Sequence, residues 1–493
     1  MSETTAYRNI IKSGSLFGMV QIANIVIALI RSKCLAIFIG PMGYGIFGLL
    51  NSTIDMVRMA TGFGMEISSV KHIAEISNDS PRILQVKASA VIKLAIATGI
   101  AGALTAIFFS KYLSIWTFKN TGMTVPIICI SVSIIMQQLT FSHTAIMQGM
   151  NRFKYLAKTN LYGNIGGLLL TLPLYYFLGI DAIVPAIIIT ALFNLLISVF
   201  FYKKLNIAYT RISFNETLAH GREILHLGSL LALSSFLPVF SNFVIQIFIS
   251  NMSSVSTVGL FTIGMAMVNS YVGILFTAMS AEYFPRLASI SKDNYLINKA
   301  VNQQAIIAML AIIPIIIFFL GYSPLVVKVL LSAKFNEVIP MLSWAVAAMF
   351  FKAVSFTMGY VIIAKGDSKV FIRTAVFFNS VYILFCITGF YYGSLEGLGI
   401  ALFIYYASHL IIIGLISCLR YRISFGSNFV KVFISGFMLC LLGIVISRMY
   451  FGSAKHIIFL ILLLVSIVYS YKEIDKLIFI KSMLKDLLKK KNK

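Results

Sequence analysis

Charge is what this sequence has least of, and negative charge least of all. Only 11% of its 493 residues are charged, where a soluble protein carries about 25%, and 16 acids stand against 40 bases. So little charge excludes an ordinary soluble domain. The five cysteines (Cys34, Cys129, Cys386, Cys418 and Cys440) each sit alone inside an apolar run. They form neither a disulfide framework nor a C-x-x-C metal site, and packing is the role expected of them. No H-E-x-x-H and no G-x-x-x-x-G-K-[ST] occurs, so neither metalloprotease chemistry nor ATP hydrolysis is expected. No connector is long enough for a soluble catalytic domain, and an embedded glycosyltransferase or polymerase would bring a large external loop with acids or a metal site. The expectation is a chain that is not an enzyme and needs no cofactor or metal. The formal charge of +24 comes without a zinc finger or a stacking-aromatic module, so nucleic acid is not an expected partner.

What the sequence does have is apolar length. It is 59% hydrophobic with a mean hydropathy of +0.93. Runs of 18 residues or more recur from end to end, each able to cross ~30 Å of hydrocarbon as a helix. The pattern predicts an all-α polytopic membrane protein with about 14 transmembrane helices, near 12–39, 43–70, 83–110, 122–149, 156–178, 182–203, 224–250, 256–282, 300–322, 339–364, 371–392, 396–419, 429–450 and 454–472. The start, MSETTAYRNIIKSG, lacks a short cleavable apolar core, so the first run is expected to be retained as a span. With the N-terminus placed in the cytoplasm, 29 of the 40 bases fall on inner segments and six on outer ones, Lys111, Lys119, Lys328, Lys334, Arg448 and Lys455. This asymmetry predicts that both termini are cytoplasmic and makes topology the plainest source of the basic charge.

The chain repeats itself. IIKSGSL at 10–16 matches ILHLGSL at 224–230, GYGIF at 43–47 matches TVGLF at 257–261, and KHIAEIS at 71–77 matches PRLASIS at 285–291, all at an offset of 214. IMQGMNRFKY at 146–155 pairs with IIAKGDSKVF at 362–371 at an offset of 216. Each unit holds six spans, an even number, so both copies enter the membrane in the same sense. Two parallel repeats around a central cavity are expected, the arrangement of alternating-access transporters. The division is an N-lobe at 1–203, a cytoplasmic linker at 204–223, a C-lobe at 224–420, two further spans at 421–472 and a basic tail at 473–493. The tail alternates apolar residues with lysines at helical spacing. It reads either as an amphipathic helix on the anionic inner leaflet or as a solvated tail that reinforces topology.

Five bases remain within the spans: Arg31, Lys33, Arg58, Lys93 and Lys352. The clear intramembrane acids are Asp55 and Glu66, with Glu282 near a span end. A charge at the centre of a membrane helix costs about 3 kcal/mol or more, so such residues mark function or pair with one another. On a continuous helix Asn51, Asp55, Arg58 and Glu66 fall within about 80° of one face, and the i,i+3 spacing lets Asp55 touch Arg58. Their counterparts in the second copy are uncharged, with Asn269 at Asp55, Val272 at Arg58 and Ser280 at Glu66. One reading has Asp55 and Arg58 neutralising each other in a packed lobe. The other has Arg58 lining a water-filled cavity, able to exchange Asp55 for an anionic substrate. Five bases against two deep acids make that cavity cationic and attractive to anions, and arginine suits phosphate. Lys352 and Lys93 are expected to face it. Arg31 and Lys33 point about 200° apart, so only one can. His143 and His409 could titrate near neutrality or merely hydrogen-bond.

The segment LLLSAKFNEVIPMLSWAVAAMFFKAVSFTMGYVIIAKG at 330–366 and the turn GPMGYG at 40–45 resemble the Wzx-type O-antigen and common-antigen polysaccharide flippases, a group that also takes in peptidoglycan lipid flippases and multidrug antiporters. The resemblance spans roughly 10–420. It implies two six-helix lobes around a cationic cavity in a bacterial cytoplasmic membrane. It further implies flipping of an undecaprenyl-pyrophosphate-linked oligosaccharide, an O-antigen-type unit, from the inner to the outer leaflet. The common-antigen members have twelve helices, whereas this chain adds two. The pyrophosphate is expected on Arg58, Lys352, Lys93 and Arg31. Asp55, Glu66 and His143 are candidates for coupling to an ion gradient or for charge pairing. The expected partners are the lipid-linked oligosaccharide, membrane lipids, and polysaccharide polymerase or chain-length machinery. A multidrug or cation antiporter of the same fold, which would want an acidic cavity, and a non-transporting scaffold for polysaccharide assembly, which would want no buried charge, are the alternatives.

Overall fold

The computed structural model describes residues 23–76, 81–449 and 454–478. The first half of the first span and the tail beyond 478 lie outside the described residues. The described chain is helical throughout and separates into two compact units. One comprises the described residues up to Thr262 with Leu330–Lys334; the other comprises Ile263–Val329 and the described residues from Phe335 onward.

The first unit holds α1 (23–38), α2 (Gly40–Gly62), α3 (Met65–Ile76), α4 (Pro81–Phe108), the short α5 (Ser110–Phe118), α6 (Thr124–Gly149), α7 (Phe153–Leu178), α8 (Ile183–Lys203), α9 (Phe214–Met252) and the start of α10 (Val255–Met267). Starts and stops follow local chemistry. Pro41 opens α2, where its missing N–H is no loss. A reciprocal cap opens α9, with Ser213 Oγ accepting from the Glu216 amide at 3.1 Å while the Ser213 amide donates to the Glu216 carboxylate at 2.6 Å. The predicted span 43–70 is not one helix. Phe63 and Gly64 both take positive φ and divide it into α2 and α3. A side chain at Gly64 would overlap the carbonyl oxygen of Gly228 on α9, so only glycine satisfies both the backbone angle and the close approach. α9, assigned to the second lobe from the repeat, packs against α2, α3, α4 and α5 of this unit. Its end is tied to α5 by Ser250 Oγ donating to the Thr117 carbonyl at 2.6 Å and Asn251 Nδ2 to the Trp116 carbonyl at 2.9 Å.

In the second unit α10 passes through a π-helical turn, Val268–Val272, into α11 (Ile274–Ser289), followed by α12 (Asn294–Leu330), α13 (Ile339–Ala364), α14 (Ser368–Tyr421), α15 (Ser427–Arg448) and α16 (Ala454–Ile478). α14 is two helices. Gly393 and Ser394 leave helical angles and turn the chain between the two predicted spans there. Asp367 closes the opposite end of this pair. Its carboxylate caps the Val370 amide and accepts from Arg420 Nε at 2.7 Å and from the Tyr421 hydroxyl at 3.0 Å.

Nine helical stretches among the described residues are long and apolar enough to cross a bilayer, two of them long enough to hold two crossings. Their apolar side chains do not point inward. In seven of the nine, 39% or less of the most hydrophobic window is buried, and Phe108, Phe177 and Leu419 lie in the open. In water such a surface would be a large aggregating patch; in lipid it is the solvated face, with every backbone group satisfied inside its own helix. α12 and α13 are the exceptions, with 67% and 72% of those windows buried. They form the core of the second unit. The chain is a multi-pass helical membrane protein.

The Arg420 hydrogen bond, followed by the Tyr421 and Val370 bonds, holds the Asp367 carboxyl below its usual range. A depressed folded value adds stability that is present above the unfolded value near 3.9 and is lost as pH falls through the folded one. Asp367→Asn should therefore melt below the parent at pH 7, and the gap should narrow as both are titrated toward pH 3, read as melting temperature in detergent.

Candidate functional site

Arg58 lies one turn before the end of α2 and is 5% exposed. Its guanidinium has three partners. Nη2 is 3.5 Å from Asp55 Oδ1, Nη1 donates to Glu66 Oε1, and the guanidinium carbon sits 4.4 Å from the centre of the Phe141 ring on α6. The break at Phe63–Gly64 makes this possible. It places Glu66 in the first turn of α3, where free amides favour a carboxylate, and turns it back onto Arg58. The helical wheel brought the three charges together for a different geometric reason. One base stands between two acids, so Arg58 is not a free cation. The Asp55 carboxylate is half exposed and Glu66 a third exposed. Beside them a cavity of about 50 Å³ is bounded by Arg58, Gly62, Glu66, Gln138 and Ser235, room for a water or two.

A larger cavity, about 310 Å³, opens around Arg31 within the first unit, lined among others by Asn51, Gln137, Asn160, Tyr175 and Asn194. Arg31 donates to the Asn164 carbonyl at 3.3 Å, and its Nε is buried without a partner among the described residues. Of the two bases on α1 it is Arg31 that lines this space. Phe141 belongs to this wall as well as to the Arg58 cluster. The lining amides come from α2, α6, α7 and α8. Reasoning from charge alone passed over Gln137, Asn160 and Asn194, although amides inside apolar runs were a signal available in the sequence.

Lys352 stands mid-way along α13 in the second unit. Its ammonium lies 5.6 Å from the centre of the Phe276 ring and 5.3 Å from that of Tyr406, and no carboxylate pairs with it among the described residues. Aromatic faces partly offset the loss of water around a cation. Lys93 goes elsewhere. Its ammonium donates to the Ile212 carbonyl, and the neighbouring Ser89 hydroxyl accepts from the Thr210 amide at 3.1 Å. The linker predicted at 204–223 is thus pinned to α4, and Lys93 lines neither cavity. His143 is likewise apart from the acids, hydrogen-bonded to Ser198 at 3.0 Å and stacked on Tyr202.

Residues 34–340 match the family model described as "Polysaccharide biosynthesis protein". The chain belongs to this family. The match includes Asp55, Arg58, Glu66 and Lys93 and ends before Lys352. No curated protein matches the chain. Among solved structures, the lipid II flippase MurJ in an inward closed conformation is similar over 95% of this chain and 99% of its own, at 15% identity and a TM-score of 0.73. An inward-facing multidrug resistance MATE transporter of the MOP superfamily is similar over 82% and 98%, at 15% identity and 0.59. A MOP superfamily transporter from Pyrococcus furiosus, reported with a binding pocket of reversed polarity, follows over 89% and 97%, at 13% identity and 0.57. At these identities the likenesses establish a shared fold and nothing more.

The charge arithmetic at Arg58 has a direct consequence. Arg58→Met leaves two partly exposed carboxylates without their shared base and should cost about 1–3 kcal/mol. Adding Asp55→Asn and Glu66→Gln to that variant should restore most of the loss, because removing all partners of a buried cluster is far milder than removing one. Thermal or denaturant unfolding of the single and triple variants measures both.

Proposed function

We propose that this protein flips an undecaprenyl-pyrophosphate-linked oligosaccharide of O-antigen type from the inner to the outer leaflet of a bacterial cytoplasmic membrane by alternating access. The observation that carries this reading is Lys352, a base held mid-span on the most buried of the membrane helices with only aromatic rings for partners. A cation kept there at a cost of several kcal/mol supplies charge to a ligand that is itself anionic. Membership of a polysaccharide biosynthesis family and similarity to a lipid II flippase support a lipid-linked sugar as that ligand. Arg58 is the second contact. Protonation of Asp55 or Glu66 would loosen its pairing and protonation of both would free it, which would link binding of the pyrophosphate to a proton gradient. Arg31, with its polar cavity, is a site for the sugar or its charge. Both termini are cytoplasmic in this reading, and the two repeats act as lobes that rock about the substrate.

A second reading, a multidrug or cation antiporter, draws on the excess of acid over base around Arg58 and on the MATE likeness. It predicts drug resistance lost with Asp55→Asn, and no effect on surface polysaccharide.

The test is polysaccharide production in a flippase-null bacterium whose repeat unit the protein accepts. Wild type should restore polymer, and a well-expressed Arg58→Ala/Lys352→Ala variant should make at least tenfold less. Lys352→Arg should retain more activity than Lys352→Met. Full polymer from the double variant would remove both bases from the mechanism.

A further inference from the structure

His409 lies in the second unit, on the length of α14 that follows the Gly393–Ser394 turn. Along that helix Glu396 is roughly 20 Å away on one side and Arg420 roughly 16 Å on the other, at 1.5 Å per residue. The imidazole therefore stands near the middle of its span. Its ring packs on Phe378 of the first length of α14, centroids 4.1 Å apart, and beside Tyr405 at 6.0 Å. Nδ1 is buried and has no partner among the described residues. A buried imidazole ordinarily fixes one nitrogen through a hydrogen bond to a carbonyl or carboxylate. A native structure rarely leaves such a nitrogen unpaired without a use for it.

The neighbour that gives it a use is on α13. Tyr406, three residues before His409 and so on the same face of the helix, has the Lys352 ammonium 5.3 Å from its ring centre. His409 is within reach of that charge. The other titratable groups of the cluster are Tyr405 and Tyr406 on its own helix, with Tyr382 and its hydrogen-bonded neighbour Cys386 on the first length of α14. Arg373, more than a turn before Phe378, is exposed. On α13, against which α14 packs, Lys352 is the charged group that faces the ring. Phenols and thiols ordinarily ionise above neutrality, which leaves the imidazole as the group here whose charge changes near pH 7. The two bases also occur together in the sequence. At the internal offset of 216 their counterparts in the first copy are Met136 and Phe193, both apolar.

We propose that His409 is a further holder of the anion taken by Lys352, and that it binds one proton from water as the anion arrives; this rests on the transport reading above. Like charges at one site repel, so Lys352 carries the charge and the imidazole is neutral while no anion is present. A pyrophosphate diester brings two negative charges, and one ammonium balances only one of them. A proton on His409 balances the other. An imidazolium is a donor at both nitrogens, so Nδ1 then has an N–H to give and the phosphate oxygens accept it. Departure of the anion returns the proton to water.

The experiment is calorimetric titration of the full chain in lipid nanodiscs with geranyl-pyrophosphoryl-N-acetylglucosamine, a diester whose phosphates stay ionised between pH 6 and 9. Two buffers of different ionisation heat count the protons taken up with each ligand. Asp55→Asn/Glu66→Gln is measured beside the parent, which separates this proton from any taken by those acids. Both proteins should take up about one proton or more. Adding His409→Gln should lower the uptake by about one proton in each and weaken binding about tenfold at pH 7. A histidine that only packed would change the affinity and leave the uptake alone. Binding by Asp55→Asn/Glu66→Gln without uptake overturns the proposal with no substitution at His409, and so does unchanged uptake after His409→Gln. In both cases the transport reading stands. No binding by the parent at any pH sinks the transport reading, and the proposal with it.

Discussion

A buried guanidinium held between two partly exposed carboxylates sets the terms for the first unit. Arg58 finds its counter-charges near the end of α2 in Asp55 and Glu66, and Glu66 reaches it because α2 stops at Gly62 and the chain restarts as α3. The break in turn depends on Gly64 coming close to Gly228 on α9. Charge pairing, helix interruption and the seating of α9 are one constraint seen three ways. Removing water makes isolated charge costly, so the protein spends its few acids where a base would otherwise stand alone.

The second unit meets the same constraint differently. Lys352 has rings instead of carboxylates, an arrangement that leaves its charge uncancelled. The two copies of the repeat thus differ in kind, one base set among carboxylates and the other among aromatic rings.

Much of the fold was legible because lipid imposes it. The apolar runs had to be helices, and the places where they end, at Gly393–Ser394 or before Asp367, carry turn chemistry that the sequence displays openly. The pairing of Asp55 with Arg58 follows from i,i+3 spacing alone. What could not be read was anything set by contact between distant segments. The positive φ at Phe63 is invisible in composition. Lys93 looked like a cavity base because no periodicity announces that the carbonyl of Ile212 will come to meet it. The amides around Arg31 were overlooked because their role depends on four helices converging, and each alone is only a polar residue in an apolar run.

The close approach of Gly64 to the Gly228 carbonyl also bears on the order in which the chain is assembled. Residue 228 is made 164 residues after residue 64, so α2 and α3 are synthesised long before the helix that seats their junction. A newly made α2 already carries Asp55 three residues from Arg58, and a neighbour at that spacing is a partner the helix brings with it.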